Sequence, residues 1–282
     1  MPEPLETLVG VDSDGCVFDT MTPKQTRCFH PAIVAWWGLD RIEPEVRAAA
    51  SFVNLHSRSR GRNRFVALVE TFERLAADPK VSAAGVALPD LAGLKAFVAD
   101  GKLDQDALRV AVARTGDPGL RRVLDWSLDV NVRIAALGPL PPFPGACDAL
   151  ARMAKRSEVV VVSQTPGEAL VREWAEHGLD RCVTAIGGQE QGSKAEQLAR
   201  AMGGRPPDHV LVVGDAPGDL EAARAVGACF YPIVPGEEAA SWARLTAEAY
   251  PRFLRGTYRG ACEAALVAAF ERRLDGPAGE HG

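Results

Sequence analysis

Leu8-Val9-Gly10-Val11-Asp12-Ser13-Asp14-Gly15-Cys16-Val17-Phe18-Asp19 decides how this chain is read. A short apolar run ends in two carboxylates two residues apart, with a glycine directly behind them. The run predicts a buried strand, and Gly15 predicts that the backbone turns there. Two carboxylates at the carboxyl end of a buried strand can hold a divalent cation, and one can attack while the other moves a proton. Taken alone, the stretch is equally a strand running into an Asp-rich turn. The residues that separate the two readings lie far downstream.

Between them the character of the chain changes. From about Pro23 to Leu137 the pattern is helical almost throughout. Pro23 to Trp37 opens on a proline suited to a first helical turn and stops at Gly38. Pro44 to His56 is rich in alanine. Phe65, Leu68, Val69, Phe72 and Leu75 recur at steps of three and four, which is one apolar helix face. Shorter helices are predicted over Leu91–Ala99 and Asp104–Ala113, then a long one through Leu120, Val123, Leu124, Leu128 and Ile134 to Gly138. The stretch Gly138-Pro139-Leu140-Pro141-Pro142-Phe143-Pro144-Gly145 reads as a stiff re-entry into another domain.

Beyond it helices and strands alternate. Strands are predicted at Val159–Val162, near Cys182–Ile186, at His209–Val213 and at Cys229–Ile233, with helices between them. Such alternation implies a parallel sheet covered on both faces. Residues from Glu237 to Leu274 read as two helices interrupted at Pro251. The expected fold is therefore α/β, a Rossmann-like parallel sheet core covered by helices on both faces, with an inserted all-α domain. Residues 1–20 and 140–282 would form the core and residues 21–139 the insertion.

Open α/β sheets bind ligands outside the carboxyl ends of their strands. Val159–Val162 runs into Ser163-Gln164-Thr165-Pro166, a hydroxyl at a helix start, which is an anion cradle or simply an N-cap. Lys194 follows Gly192-Ser193 at the start of another helix and is, by itself, an ordinary surface lysine. His209–Val213 ends in Gly214-Asp215-Ala216-Pro217-Gly218-Asp219, a second strand tip carrying carboxylates. Repeating the peculiarity of the first strand, it strains a loop-only reading.

Asp12-x-Asp14-Gly15, Ser163 after a run of valines, Lys194, and Gly214-Asp215-x-x-x-Asp219 resemble, in order, the four motifs of the haloacid dehalogenase superfamily. The helical insertion behind the first motif is similar to that family's C1 cap. The resemblance implies that Asp12 is a nucleophile taking a phosphoryl group, and that Asp14 protonates the leaving oxygen and later deprotonates water. It implies Mg²⁺ held by Asp12, the Asp14 backbone carbonyl, Asp215 and Asp219. Gly15, Ser163, the Gln164 N–H and Lys194 would hold the phosphoryl oxygens. An acid at position 14 points to phosphate-ester chemistry, whereas Cys16 departs from the Thr or Val more usual there. The implied activity is a Mg²⁺-dependent phosphatase for a small phosphorylated metabolite. A sugar phosphomutase of the β-phosphoglucomutase type shares all four motifs. A non-catalytic anion- or nucleic-acid-binding protein is a third reading.

Composition narrows the partners. Hydrophobic residues make up 47% of the 282 and the net charge is −5, so attraction to nucleic acid or to an anionic membrane is not expected. No apolar run approaches a membrane span, and the first residues lack the pattern of a signal peptide. Six scattered cysteines without metal-type spacing read as reduced thiols of a cytoplasmic protein. The five histidines have no partner pattern and read as structural.

Charge is divided unevenly: residues 21–139 carry 17 Lys+Arg against 13 Asp+Glu, the remainder 15 against 24. Arg58, Arg60, Arg62 and Arg64 stand at alternate positions around Gly61, which predicts a helix–loop–helix junction. Such a turn can clamp a second anionic group of the substrate, or it can be a solvated basic turn.

Overall fold

The computed structural model describes residues 5–274, which fall into two compact units: residues 5–20 with 139–274, and residues 21–138. The first unit is built on five strands, β1 (Leu8–Val11), β2 (Glu158–Val162), β3 (Ala185–Gly187), β4 (Val210–Gly214) and β5 (Cys229–Pro232). All pair in parallel, in the order β3-β2-β1-β4-β5. Parallel neighbours need crossovers, and the helices Gly167–Glu176, Lys194–Met202 and Pro217–Val226 supply them. The chain runs outward from β1 on one side, then returns past it to β4. The central strand is thus a topological switch point, where such sheets place their ligands.

The strands read as unbroken apolar runs because both of their faces are buried. Val9, Val11, Val159, Val161, Leu211 and Val213 pack with Leu150, Trp174 and Trp242. Leu8, Val160, Val162, Val210 and Val212 pack with Leu198, Leu220 and Phe270 on the other face. Gly10 has a steric reason: a Cβ there would come within 2.6 Å of Leu198 Cδ2, so glycine lets the Lys194–Met202 helix lie close to the sheet.

One expectation is corrected at the end of this unit. Pro251 does not interrupt a helix: Glu238–Arg244, a wide π turn at Leu245–Ala249, and Tyr250–Leu254 follow one another directly. The Tyr250 N–H reaches back to the Leu245 carbonyl, and Pro251 occupies the first turn of the next segment, where its missing N–H costs little. The break falls instead before the helix Ala261–Leu274, where Gly256 and Gly260 take positive φ.

The second unit is all helical. Its core gathers Leu68, Phe72, Phe97, Leu108, Trp126 and Val130. The apolar face predicted from Phe65 to Leu75 is the buried face of the helix Arg64–Ala76. Two π turns, Lys24–Phe29 and Phe52–His56, widen helices that the sequence reads as regular. The short helix Pro79–Ala84 escapes a periodicity argument because it is under two turns long, although Asp78 caps it. No helix among the described residues is long and apolar enough to cross a membrane. The six cysteines are free thiols, with Cys16, Cys28 and Cys229 buried and Cys147 exposed.

Candidate active site

At the tip of β1 the Asp12 N–H still pairs with the Val213 carbonyl at 3.0 Å, so the Asp12 side chain leaves the sheet from its centre. The chain then folds back: the N–H groups of Val17 and Phe18 both reach the Ser13 carbonyl, and Gly15 turns at φ 77°. Two buried indoles hold this loop from behind. Trp174 donates to Ser13 Oγ and Trp242 to the Cys16 carbonyl, each at 3.0 Å. Cys16 itself is buried, and its thiol is pushed well above the usual range by burial and by the charges of Asp215 and Asp12. It is an inert packing group rather than a nucleophile.

Asp12, Asp215 and Asp219 are all buried and each offers a carboxylate oxygen within 4.8 Å of the others. Lys194 reaches into the same cluster, 3.0 Å from Asp12 Oδ1 and 2.6 Å from Asp219 Oδ1. The other Asp219 oxygen accepts the Ala216 N–H at 3.0 Å, which fixes its orientation. Gly214 must be glycine here, because a Cβ would lie 2.3 Å from Asp219 Cγ. Lys194 sits at the first position of its helix, behind a capping box between Ser193 and Glu196.

Three buried carboxylates and one ammonium are not electrostatically balanced. Burial raises the Asp12 carboxyl well above its usual range, and Asp219 and Asp215 add to this against the opposing pull of Lys194. For Lys194, burial alone would favour the neutral amine, but Asp12 and Asp219 outweigh it and hold the lysine charged. A hard divalent cation among these oxygens would restore Asp12 to the carboxylate form, so the donor set fits one. This cluster can hold a metal.

The Asp14 carboxylate is not part of that cluster. It accepts a hydrogen bond from Thr20 Oγ1 at 2.6 Å and another from Thr165 Oγ1 at 2.7 Å. Ser163, buried, continues β2 through its N–H to the Gly187 carbonyl. Its Oγ accepts the Thr165 N–H at 3.2 Å, which leaves the hydroxyl hydrogen to be donated elsewhere. The Gln164 side chain donates to the Ser163 and Gly192 carbonyls and so ties the β2 loop to the Lys194 loop. Thr20 and Thr165 carry no signature that sequence alone could have flagged, because a threonine beside a turn is ordinary.

The arginine cluster takes the junction expected of it, a turn between the π turn ending at His56 and the helix starting at Arg64, with Gly61 at φ 76°. Arg60, Arg62 and Arg64 make their contacts within the helical unit. Arg60 is buried and donates to the Leu55 carbonyl at 3.0 Å. Arg62 pairs with Glu70 at 3.2 Å. Arg64 donates to the Ser127 carbonyl and hydroxyl and, at 2.7 Å, to Asn131 Oδ1, with its guanidinium over the Phe29 ring. Burial lowers its pKa to about 10. Arg58 is exposed.

Comparison with known proteins places the chain in a family. Residues 7–227 match the family model described as haloacid dehalogenase-like hydrolase. The chain belongs to that family. The structure of a putative haloacid dehalogenase-like hydrolase from Bacteroides fragilis superposes with a TM-score of 0.52 at 15% identity, covering 83% of this chain and 92% of that one. This shows the shared α/β fold. The structure of a putative phosphoglycolate phosphatase from Lactobacillus delbrueckii is 17% identical over 80% of this chain and 85% of its own, with a TM-score of 0.46. A family hydrolase from Streptococcus pneumoniae is 14% identical over 84% and 90%, with a TM-score of 0.42. No curated protein matches the sequence.

Proposed function

We propose that this hydrolase is a Mg²⁺-dependent phosphatase for a small phosphorylated metabolite and works through an aspartyl-phosphate on Asp12. The observation that carries the reading is a division of labour between two neighbouring carboxylates. Asp12 lies in the buried cluster against Lys194, whereas Asp14 is held apart on two hydroxyls. Asp12, Asp215 and Asp219, with the Asp14 carbonyl, would hold the Mg²⁺, which supplies positive charge to offset repulsion between phosphate and nucleophile. An Asp12 oxygen bonds to phosphorus as the ester P–O bond breaks, and Asp14 gives its proton to the leaving oxygen. Asp14 then takes a proton from water, whose oxygen bonds to phosphorus and displaces the Asp12 carboxylate. Lys194, the Ser163 hydroxyl and the Gln164 N–H stabilise the charge that spreads over the other phosphoryl oxygens. We assign to the inserted helical unit the recognition of the rest of the substrate, with the exposed Arg58 among its candidate contacts. The free thiols suit a reducing compartment, and we assign the protein to the cytoplasm.

A panel of phosphate esters with and without Mg²⁺ tests this. Release of inorganic phosphate from one or a few metabolites, dependent on Mg²⁺ and abolished in Asp12→Asn, is the expected result. Conservation of total ester with dependence on a bisphosphate activator would indicate the phosphomutase instead. Undiminished hydrolysis in Asp12→Asn would reject both.

A further inference from the structure

Gln197 is a buried side chain in which three separate loops meet. It projects from the Lys194–Met202 helix, one turn beyond Lys194, and is 5% exposed. Its Nε2 lies 3.0 Å from each of three backbone carbonyls: Ser163 at the end of β2, Gly188 behind β3, and Gly192 in the turn that leads to Lys194. Three acceptors around one NH₂ fix the orientation of the amide, because a flipped group would set its oxygen against three carbonyl oxygens. The space is cut to fit: a Cβ on Gly187 would stand 2.5 Å from Gln197 Oε1 and 3.1 Å from the Val161 carbonyl. The adjacent Gly-Gly pair therefore admits this amide, and the Gly188 carbonyl turns to meet it.

A purely apolar side chain would fill this volume but leave the carbonyls of Ser163, Gly188 and Gly192 with one donor fewer in a buried place. A surface lysine helix needs no such tie. What the tie does is join the two segments that present Ser163 and Lys194, which belong to different crossovers, beside a backbone bond from the Gln189 N–H to the Thr165 carbonyl at 3.0 Å. The Gln164 amide also donates to the Gly192 carbonyl from the more exposed side, so both amides converge on one acceptor.

We propose that Gln197 is a positioning residue that sets the separation of Ser163 and Lys194, and thereby the fit of the site to the transferred phosphoryl group. The inference rests on the phosphatase reading above. Gln197 does not itself reach the reacting atoms; it acts through the two residues that do. Misplacement by a fraction of an ångström at such groups is felt mainly in the transition state, where the phosphoryl charge is spread.

The test is a double-mutant cycle in the full-length protein, with the best substrate of the ester panel and Mg²⁺. Gln197→Met keeps length and volume while removing the amide. It should lower kcat on the order of tenfold to a hundredfold, with a smaller change in KM and in the Mg²⁺ concentration needed for half activity. In the Ser163→Ala background the same substitution should cost less than about threefold, because the group it positions is gone. Folded Gln197→Met with kcat unchanged would overturn the proposal, and so would an equal loss in both backgrounds, which is the signature of a general structural defect. If Gln197→Met fails to fold, Gln197→Asn serves: its amide is one methylene short of bridging, and full kcat in that variant would likewise overturn the proposal. Ser163→Ala alone separates the two levels of inference, since full activity there contradicts the phosphatase site itself rather than the role of Gln197.

Discussion

The two units spend their charged side chains in opposite ways. In the α/β unit, Asp12, Asp215 and Asp219 are buried together against one lysine, an arrangement that costs stability unless a cation joins it. In the helical unit, Arg60, Arg62 and Arg64 are matched to carbonyls, a carboxylate, an amide and a ring of their own neighbourhood. On the proposed reading, an ion and an anionic substrate would offset the imbalance, whereas the matched arginines hold their own unit together. The number of charged residues in a stretch says little about which of these it is.

The largest effect should come from breaking the unbalanced side. Asp12→Asn should lower Mg²⁺-dependent phosphatase activity by on the order of a thousandfold or more, since it removes the attacking oxygen. Asp14→Asn should lower it by about 10²–10⁴-fold for poor leaving groups and by less for an aryl phosphate, when initial rates on the two are compared.

The cluster also makes a pH prediction whose sign can be worked out. The Asp12 carboxyl is raised in the folded, metal-free protein. The protonated form therefore contributes stability that is present below the unfolded carboxylate range and is lost as pH rises through the raised value. Mg²⁺ should raise the melting temperature by more at about pH 8 than at about pH 5, because it binds better once Asp12 is ionised. Asp215→Asn should remove that Mg²⁺-dependent shift while raising the metal-free melting temperature by a few degrees.

Parts of this are legible in the amino-acid sequence alone. The five-stranded parallel core follows from apolar runs such as Val159–Val162 and Val210–Val213, which cannot sit in a sheet with one wet face. The chain positions of Asp12, Asp215 and Lys194 are visible because each closes or opens a periodic element. Thr20, Thr165 and Gln197 were not legible, since their contacts join residues 6, 151 and 34 positions apart. The engagement of Arg64 with Ser127 and Asn131 likewise depends on a helix packed more than sixty residues away. Pro251 misled because a preceding π turn removes the penalty that normally breaks a helix there.

On the balanced side the effects should be smaller and should appear in stability before activity. His30 is buried, its Nε2 has no hydrogen-bond partner among the described residues, and burial, with Arg47 nearby, lowers its pKa to about 4. The unfolded state then binds the proton more readily, so stability should fall as pH drops from about 6.5 to about 4, by up to roughly 3 kcal/mol. His30→Gln should flatten that part of the melting-temperature profile. Arg64→Ala should cost about 2 kcal/mol, read by denaturant unfolding, with kcat near the parent value at temperatures well below the transition. Arg58→Ala should raise KM several-fold for the metabolite, but not for a small aryl phosphate. Equal kinetics on both substrates would class Arg58 with its neighbours as scaffold.

The central claim, that Asp12 carries the phosphoryl group while Asp14 activates water, is tested most directly by trapping the intermediate. Asp14→Asn, mixed with Mg²⁺ and acetyl phosphate, has a donor whose leaving group needs no protonation, and it lacks the base that would hydrolyse the product. Intact-mass and peptide-mass analysis after acid quench should show one phosphoryl group, located on Asp12, labile to hydroxylamine, and missing when Asp12→Asn is added to the same protein. Phosphate release that proceeds with no phosphoryl group on Asp12, or with the group on any other residue, would contradict the account.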